Sequence, residues 1–164
     1  ERLSAEHRLF VNLHPDELGD PEGINERLEL LQRHAGRVIF EITERSSLVD
    51  AQGWERSLES ITRHGFSIAV DDLGSGYSSL SVLAEIQPSV IKIDMSIVRD
   101  INRIGRKQRL FELLCRFAEA TDALVVAEGI ETAEEAETVI RCGAHLLQGY
   151  YFGRPENADA VLSR

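Results

Sequence analysis

Five side chains with hard oxygen donors stand at or near the ends of apolar runs in this sequence. They are Asn12 in LFVNL, Glu41 in VIFEITE, Asp71 and Asp72 in SIAVDD, and Glu128 in LVVAEG. At comparable positions Lys92 in VIKID adds an ammonium and Gln148 in LLQGY an amide. Oxygen-only sets of this kind select hard divalent cations such as Mg²⁺ or Mn²⁺. Two such ions held about 3.5–4 Å apart clamp the attacking and leaving oxygens of a phosphodiester. Softer chemistry is not offered: Cys115 and Cys142 have no C-x-x-C spacing, and His7, His14 and His145 have no H-x-x-x-H partner.

Spacing constrains how these groups can meet. Consecutive side chains on a strand point to opposite faces, so Asp71 and Asp72 converge only if the strand ends there and the chain turns. The LGSG that follows supports such a turn. Lys92 and Asp94, two apart, share a face; Lys92 can hold a water or neutralise a phosphoryl oxygen in a barrel mouth, or simply pair with Asp94. Glu41 and Thr43 share a face, while Glu44 falls at a turn and can brace the GSGYSS loop through hydroxyls such as that of Ser78. That loop is not a P-loop, because its glycines are not followed by Gly-Lys-Ser/Thr.

The elements that must position these groups alternate along the chain. The pattern predicts strands at Leu9–Leu13, Arg37–Thr43, Phe66–Asp71, Val90–Asp94, Ala123–Glu128 and Ala144–Gly149. Helices are expected at Ile24–His34, Leu48–His64, Ser79–Ile86, Gln108–Thr121 and Ala133–Arg141. Runs such as SIAV, SVIKI and ALVVA are nearly continuous in apolar character, as in a parallel sheet covered on both faces. His34-Ala35-Gly36 and His64-Gly65 read as helix C-termini, and Thr132 with Glu135 as a capping box. Chemistry at strand ends is the arrangement of a (β/α)₈ barrel, which needs eight strands and about 250 residues. A 164-residue chain beginning with Glu1 is therefore expected to be a barrel incomplete at its N-terminus and a piece of something longer.

Bulk properties set the outer limits. With 43% hydrophobic residues the chain can bury a real core as one unit spanning residues 1–164. A net charge of −10 argues against binding nucleic-acid polymers, yet permits a small phosphorylated ligand if cations intervene. No apolar run approaches the roughly 20 residues of a membrane helix, and no signal peptide is legible. Reduced cysteines and a cytoplasmic location are the expectation.

The motifs VNL, FEITE, DDLGSGYSSL, IKIDMSIV, VVAEGIET and QGYYFGRP, in this order, resemble the EAL domain of bacterial cyclic di-GMP phosphodiesterases, which are (β/α)₈ barrels. The resemblance runs from about Phe10 to Pro155. It implies that Asn12, Glu41 and Asp71 bind a first Mg²⁺ or Mn²⁺, and that Asp71, Asp72 and Glu128 bind a second. Lys92 would position the hydrolytic water, Glu44 would brace the loop from Asp72 to Ser79, and Gln148 would sit on the site floor near metals and substrate. The implied reaction opens cyclic di-GMP to linear pGpG and is inhibited by Ca²⁺. The resemblance further implies a homodimer, with a sensory or GGDEF domain in a longer parent chain. The Glu-Ala-Leu motif that names the family, whose glutamate ligates the first metal, is absent. Competing readings are a cyclic di-GMP receptor or interaction module without turnover, and an enolase-like proton-abstraction enzyme. Divalent-dependent turnover separates the first from hydrolysis; activity on a carboxylate substrate would mark the second.

Overall fold

The computed structural model describes residues 7–43, 53–75 and 80–156. Six strands form one parallel sheet: β1 (Leu9–Asn12), β2 (Val38–Thr43), β3 (Ser67–Leu73), β4 (Val90–Ile93), β5 (Leu124–Ala127) and β6 (Leu146–Leu147). Their spatial order is their sequence order, so every strand pairs in parallel with its sequence neighbours. Parallel neighbours need a long crossover, and helices supply it. They are α1 (Pro15–Leu18), α2 (Pro21–Leu31), α3 (Trp54–Arg63), α4 (Leu80–Glu85), α5 (Met95–Val98), α6 (Gly105–Ala120) and α7 (Ala133–Arg141). The sheet curls into a half-barrel, a (β/α)₈-like barrel incomplete at one edge.

The two faces of the sheet bury different residues because strand side chains alternate. Phe40, Ile42, Val70, Ile91, Ile93 and Val125 face the helices and join Leu28, Ile61, Phe111 and Val139 in the main core. The opposite, concave face holds a small separate cluster of Ile39, Ala69, Val90 and Val126. This is the floor under the polar groups. Where the curl stops, the same face opens to solvent: Phe10, Leu124 and Leu146 are 36%, 46% and 45% exposed.

Several boundaries differ from expectation, each for a local reason. Helix α2 ends at Leu31, and residues Gln32–Arg37 tighten into a 3₁₀ helix that leads straight into β2. His34 therefore lies within that turn and does not cap α2, and Gly36 is not among the glycines with positive φ. His64 does cap α3; its Nδ1 meets the Ser60 carbonyl at 2.8 Å, and Gly65 takes the left-handed φ of 83°. The expected start of that helix at Leu48 lies outside the described residues. Thr132 and Glu135 form the reciprocal capping box at α7. Two short helices are additions: α1, capped by His14 with Pro15 at its first turn, and α5, capped by Asp94. No helix among the described residues is long and apolar enough to cross a membrane.

Candidate active site

Alternation along β2 puts Ile39, Glu41 and Thr43 on the concave face, and the register aligns Asn12 with Glu41 and Thr43 with Asp71. Lys92 enters from β4 beside Val126. Glu128 follows β5 directly and is held there by its N–H, which donates to the Ile93 carbonyl at 3.0 Å. Four strands thus deliver Glu41, Asp71, Lys92 and Glu128 to one point. Lys92 Nζ lies 2.6 Å from Glu41 Oε1, 2.9 Å from Asp71 Oδ1 and 2.8 Å from Glu128 Oε1. Its fourth neighbour is the Phe10 ring, with the centroid 5.9 Å away. The alternative of a pair with Asp94 is not realised: β4 ends at Ile93, and the Asp94 carboxylate accepts from Ser96 N at 2.8 Å as the cap of α5.

Asp72 arrives by a route the sequence did not suggest. Strand β3 does not stop at Asp71 but continues to Leu73, with a register shift against β4 between Val70 and Leu73. Asp72 occupies the irregularity with φ of 58°, a left-handed conformation that aspartate tolerates better than most residues. The extra residue breaks the alternation, and both carboxylates end on the same side. Asp71, Asp72 and Glu128 each offer a carboxylate oxygen, and these oxygens lie within 4.8 Å of one another. Among the described residues no other group of three or more acidic, histidine or cysteine ligands converges in this way, and Glu41 does not join it.

The electrostatics follow from this crowding. Burial opposes the charge on Lys92, but short contacts with Glu128, Glu41 and Asp71 outweigh it and hold the ammonium more basic than usual. Burial pushes the Glu128 carboxyl up to about 7; Lys92 works against that rise, and the charges of Asp71 and Asp72 add to it. Three carboxylates therefore share one ammonium in a buried cleft, with Asp72 beside them, leaving negative charge in excess. Glu41 Oε1 is buried, with the Lys92 ammonium 2.6 Å away. An all-oxygen donor set and surplus negative charge fit a hard divalent cation.

Loops behind the site are fastened to one another. Gly129 has φ of 67°, and a Cβ there would fall 2.3 Å from Met95 Cβ, so the chain leaving Glu128 passes hard against the start of α5. The buried Glu135 carboxylate accepts from Asp100 N at 2.9 Å, Glu131 N at 3.0 Å and Thr132 N at 3.2 Å. It ties the segment after Lys92 to the segment after Glu128. The sequence marked Glu135 only as half of a capping box, and nothing in its spacing pointed to Asp100. Phe10 was likewise unmarked, although its place two residues before Asn12 on the same strand face was a usable signal. Asn12 itself is exposed at the open edge beside Glu41. Gln148 is exposed, its backbone joined to Ala127 and Ile130. Glu44 and Ser78 lie outside the described residues.

With this geometry in place, comparison with known proteins is decisive. Residues 1–155 match the EAL domain. The chain belongs to the EAL domain family. It is 32% identical over 153 residues to the cyclic di-GMP phosphodiesterase PdeF of Escherichia coli, covering 92% of this chain and 20% of PdeF. Over 160 residues it is 35% identical to the cyclic di-GMP phosphodiesterase RocR of Pseudomonas aeruginosa, covering 94% of this chain and 40% of RocR. A Klebsiella pneumoniae BlrP1 structure, a manganese and cyclic di-GMP complex, superposes with a TM-score of 0.85 at 35% identity. That match covers 92% of this EAL chain and 40% of BlrP1. The EAL chain thus spans less than half the length of each of these relatives.

Proposed function

We propose that this EAL chain forms part of a divalent-cation-dependent phosphodiesterase that opens cyclic di-GMP to linear pGpG. The observation that carries this reading is the convergence of Asp71, Asp72 and Glu128 oxygens within 4.8 Å of one another, beside Lys92. Relatives named as cyclic di-GMP phosphodiesterases, and a manganese and cyclic di-GMP complex of the same fold, support it.

Asp71, Asp72 and Glu128 would hold one Mg²⁺ or Mn²⁺; Asp71, Glu41 and Asn12 would contribute to a second. Such ions, when bound, supply Lewis-acid polarisation and lower the pKa of a bound water. Lys92 would orient that water, and Gln148, just after β6, would meet the substrate. Glu44 and Ser78 would order the loop after Asp72, which would also take part in a homodimer contact. The surrounding carboxylates repel a doubly phosphorylated ligand, so cations must reverse the local field before it can dock. A longer parent carrying a sensory or GGDEF domain fits the share of each relative that this chain covers.

Incubation with cyclic di-GMP, with and without Mn²⁺, followed by chromatography for pGpG tests the reading. Metal-dependent pGpG is expected, and its absence from both this chain and the full-length parent would refute it. A receptor without turnover is favoured by one observation: Glu41 stands outside the converged ligand group. Metal-dependent binding of cyclic di-GMP without product from the parent protein would establish that alternative.

A further inference from the structure

We propose that the Lys92 ammonium is the resident cation of the metal-free site, and that a divalent ion enters by displacing Nζ from the carboxylates toward Phe10. This rests on the reading that the site takes a divalent cation, and it assigns Lys92 a role before any substrate arrives.

Three features carry it. First, Nζ touches one oxygen from each of three strands at 2.6–2.9 Å, a spacing at which the ammonium itself satisfies the carboxylates. Two of those three residues, Asp71 and Glu128, also belong to the converged ligand group. The ammonium and an incoming ion therefore draw on the same two carboxylates. Second, the contacts are enclosed: the Lys92 and Glu41 side chains are each 8% exposed. Like charges at this range in a desolvated cleft repel strongly, so a divalent ion and a fully engaged ammonium exclude one another. Third, an alternative seat exists. The Phe10 ring lies 5.9 Å from Nζ on the open side of the sheet, and its face can receive an ammonium.

Calorimetry with Mn²⁺ alone, without substrate, tests this on the purified chain. Lys92→Met keeps the length of the side chain but removes its charge. The variant is expected to bind Mn²⁺ about tenfold or more tightly than the parent sequence, because the ion no longer competes with a buried cation. In chelator its melting temperature should fall below that of the parent sequence, and Mn²⁺ should raise it by more. Phe10→Leu removes the alternative seat while leaving the carboxylates in place, and should weaken Mn²⁺ binding severalfold. If Lys92→Met does not fold without metal, the Phe10→Leu titration still decides. Mn²⁺ affinity of Lys92→Met equal to or weaker than that of the parent sequence, or unchanged affinity in Phe10→Leu, overturns the displacement while leaving the metal site standing. No Mn²⁺ binding by any of the three proteins overturns the metal reading and this proposal together.

Discussion

Asp71 and Asp72 are consecutive residues on one strand, yet both carboxylates reach the same cluster because Asp72 sits at φ of 58° within an irregularity of β3. A regular strand would send them to opposite faces of the sheet. The convergence is therefore a property of one backbone conformation as much as of two side chains.

That dependence separates ligation from folding at position 72. Asp72→Asn should retain the fold, since asparagine also tolerates the left-handed region, while Mn²⁺ affinity falls. Asp72→Val should lose metal equally and in addition cost about 1–2 kcal/mol of stability, because a β-branched side chain is strained there. Calorimetry and urea melts on the two variants check the distinction.

Asp71 contacts Lys92 and shares the ligand cluster, so its removal should be felt twice. Asp71→Ala is expected to lower metal-dependent hydrolysis by more than about 100-fold, beyond the loss usual for an outer-shell partner. It should also destabilise the metal-free protein by leaving part of the Lys92 charge unpaired. A pGpG assay with a parallel chelator melt reads both effects.

Glu135 offers a pH signature away from the metal cluster. Burial works to raise its pKa, but the backbone N–H groups of Glu131, Asp100 and Thr132 outweigh that and hold it below the ordinary 4.5. A depressed carboxyl pKa contributes stability above the unfolded value, and that stability is lost as pH falls through the folded value. Glu135→Gln should therefore cost about 1–3 kcal/mol near neutrality, the range for leaving buried donors unsatisfied. The difference from the parent sequence should shrink as the pH drops below 4.5. Urea melts across an acid series measure it.

The open concave face carries its own expectation. Phe10 on β1, at one edge of the described sheet, and Leu124 and Leu146 on β5 and β6, at the other, are exposed, and apolar sheet edges favour pairing with another chain. Sedimentation should show association that grows with protein concentration, and Leu124→Lys should reduce it. A concentration-independent monomer would count against this.

Much of the scaffold could be read directly because the physics was local. Apolar runs closed by polar residues placed each strand to within a few residues of its ends, and Thr132 with Glu135 gave the start of α7 to the residue. Helix α1 was missed although His14-Pro15-Asp16-Glu17 carries a cap, a first-turn proline and first-turn acids; four residues are too few for a periodic signal. What no local pattern contained was the meeting of distant groups. The irregularity at Asp72 depends on registry with β4, the seat of Lys92 on four strands at once, and the reach of Glu135 to Asp100 on two loops packing together.

Strand order equal to sequence order also has a consequence for how the chain folds. If the strands dock in chain order, the carboxylates of β2 and β3 come together before β4 brings the ammonium that offsets part of their charge. Parallel pairing is already slow, because each step closes a long crossover. Here the growing sheet gathers uncompensated charge until Lys92 arrives, and it gains Glu128 only one strand later. Docking of β4 in that order would both extend the sheet and offset part of its charge, which would make that pairing the watershed between partly formed and committed states.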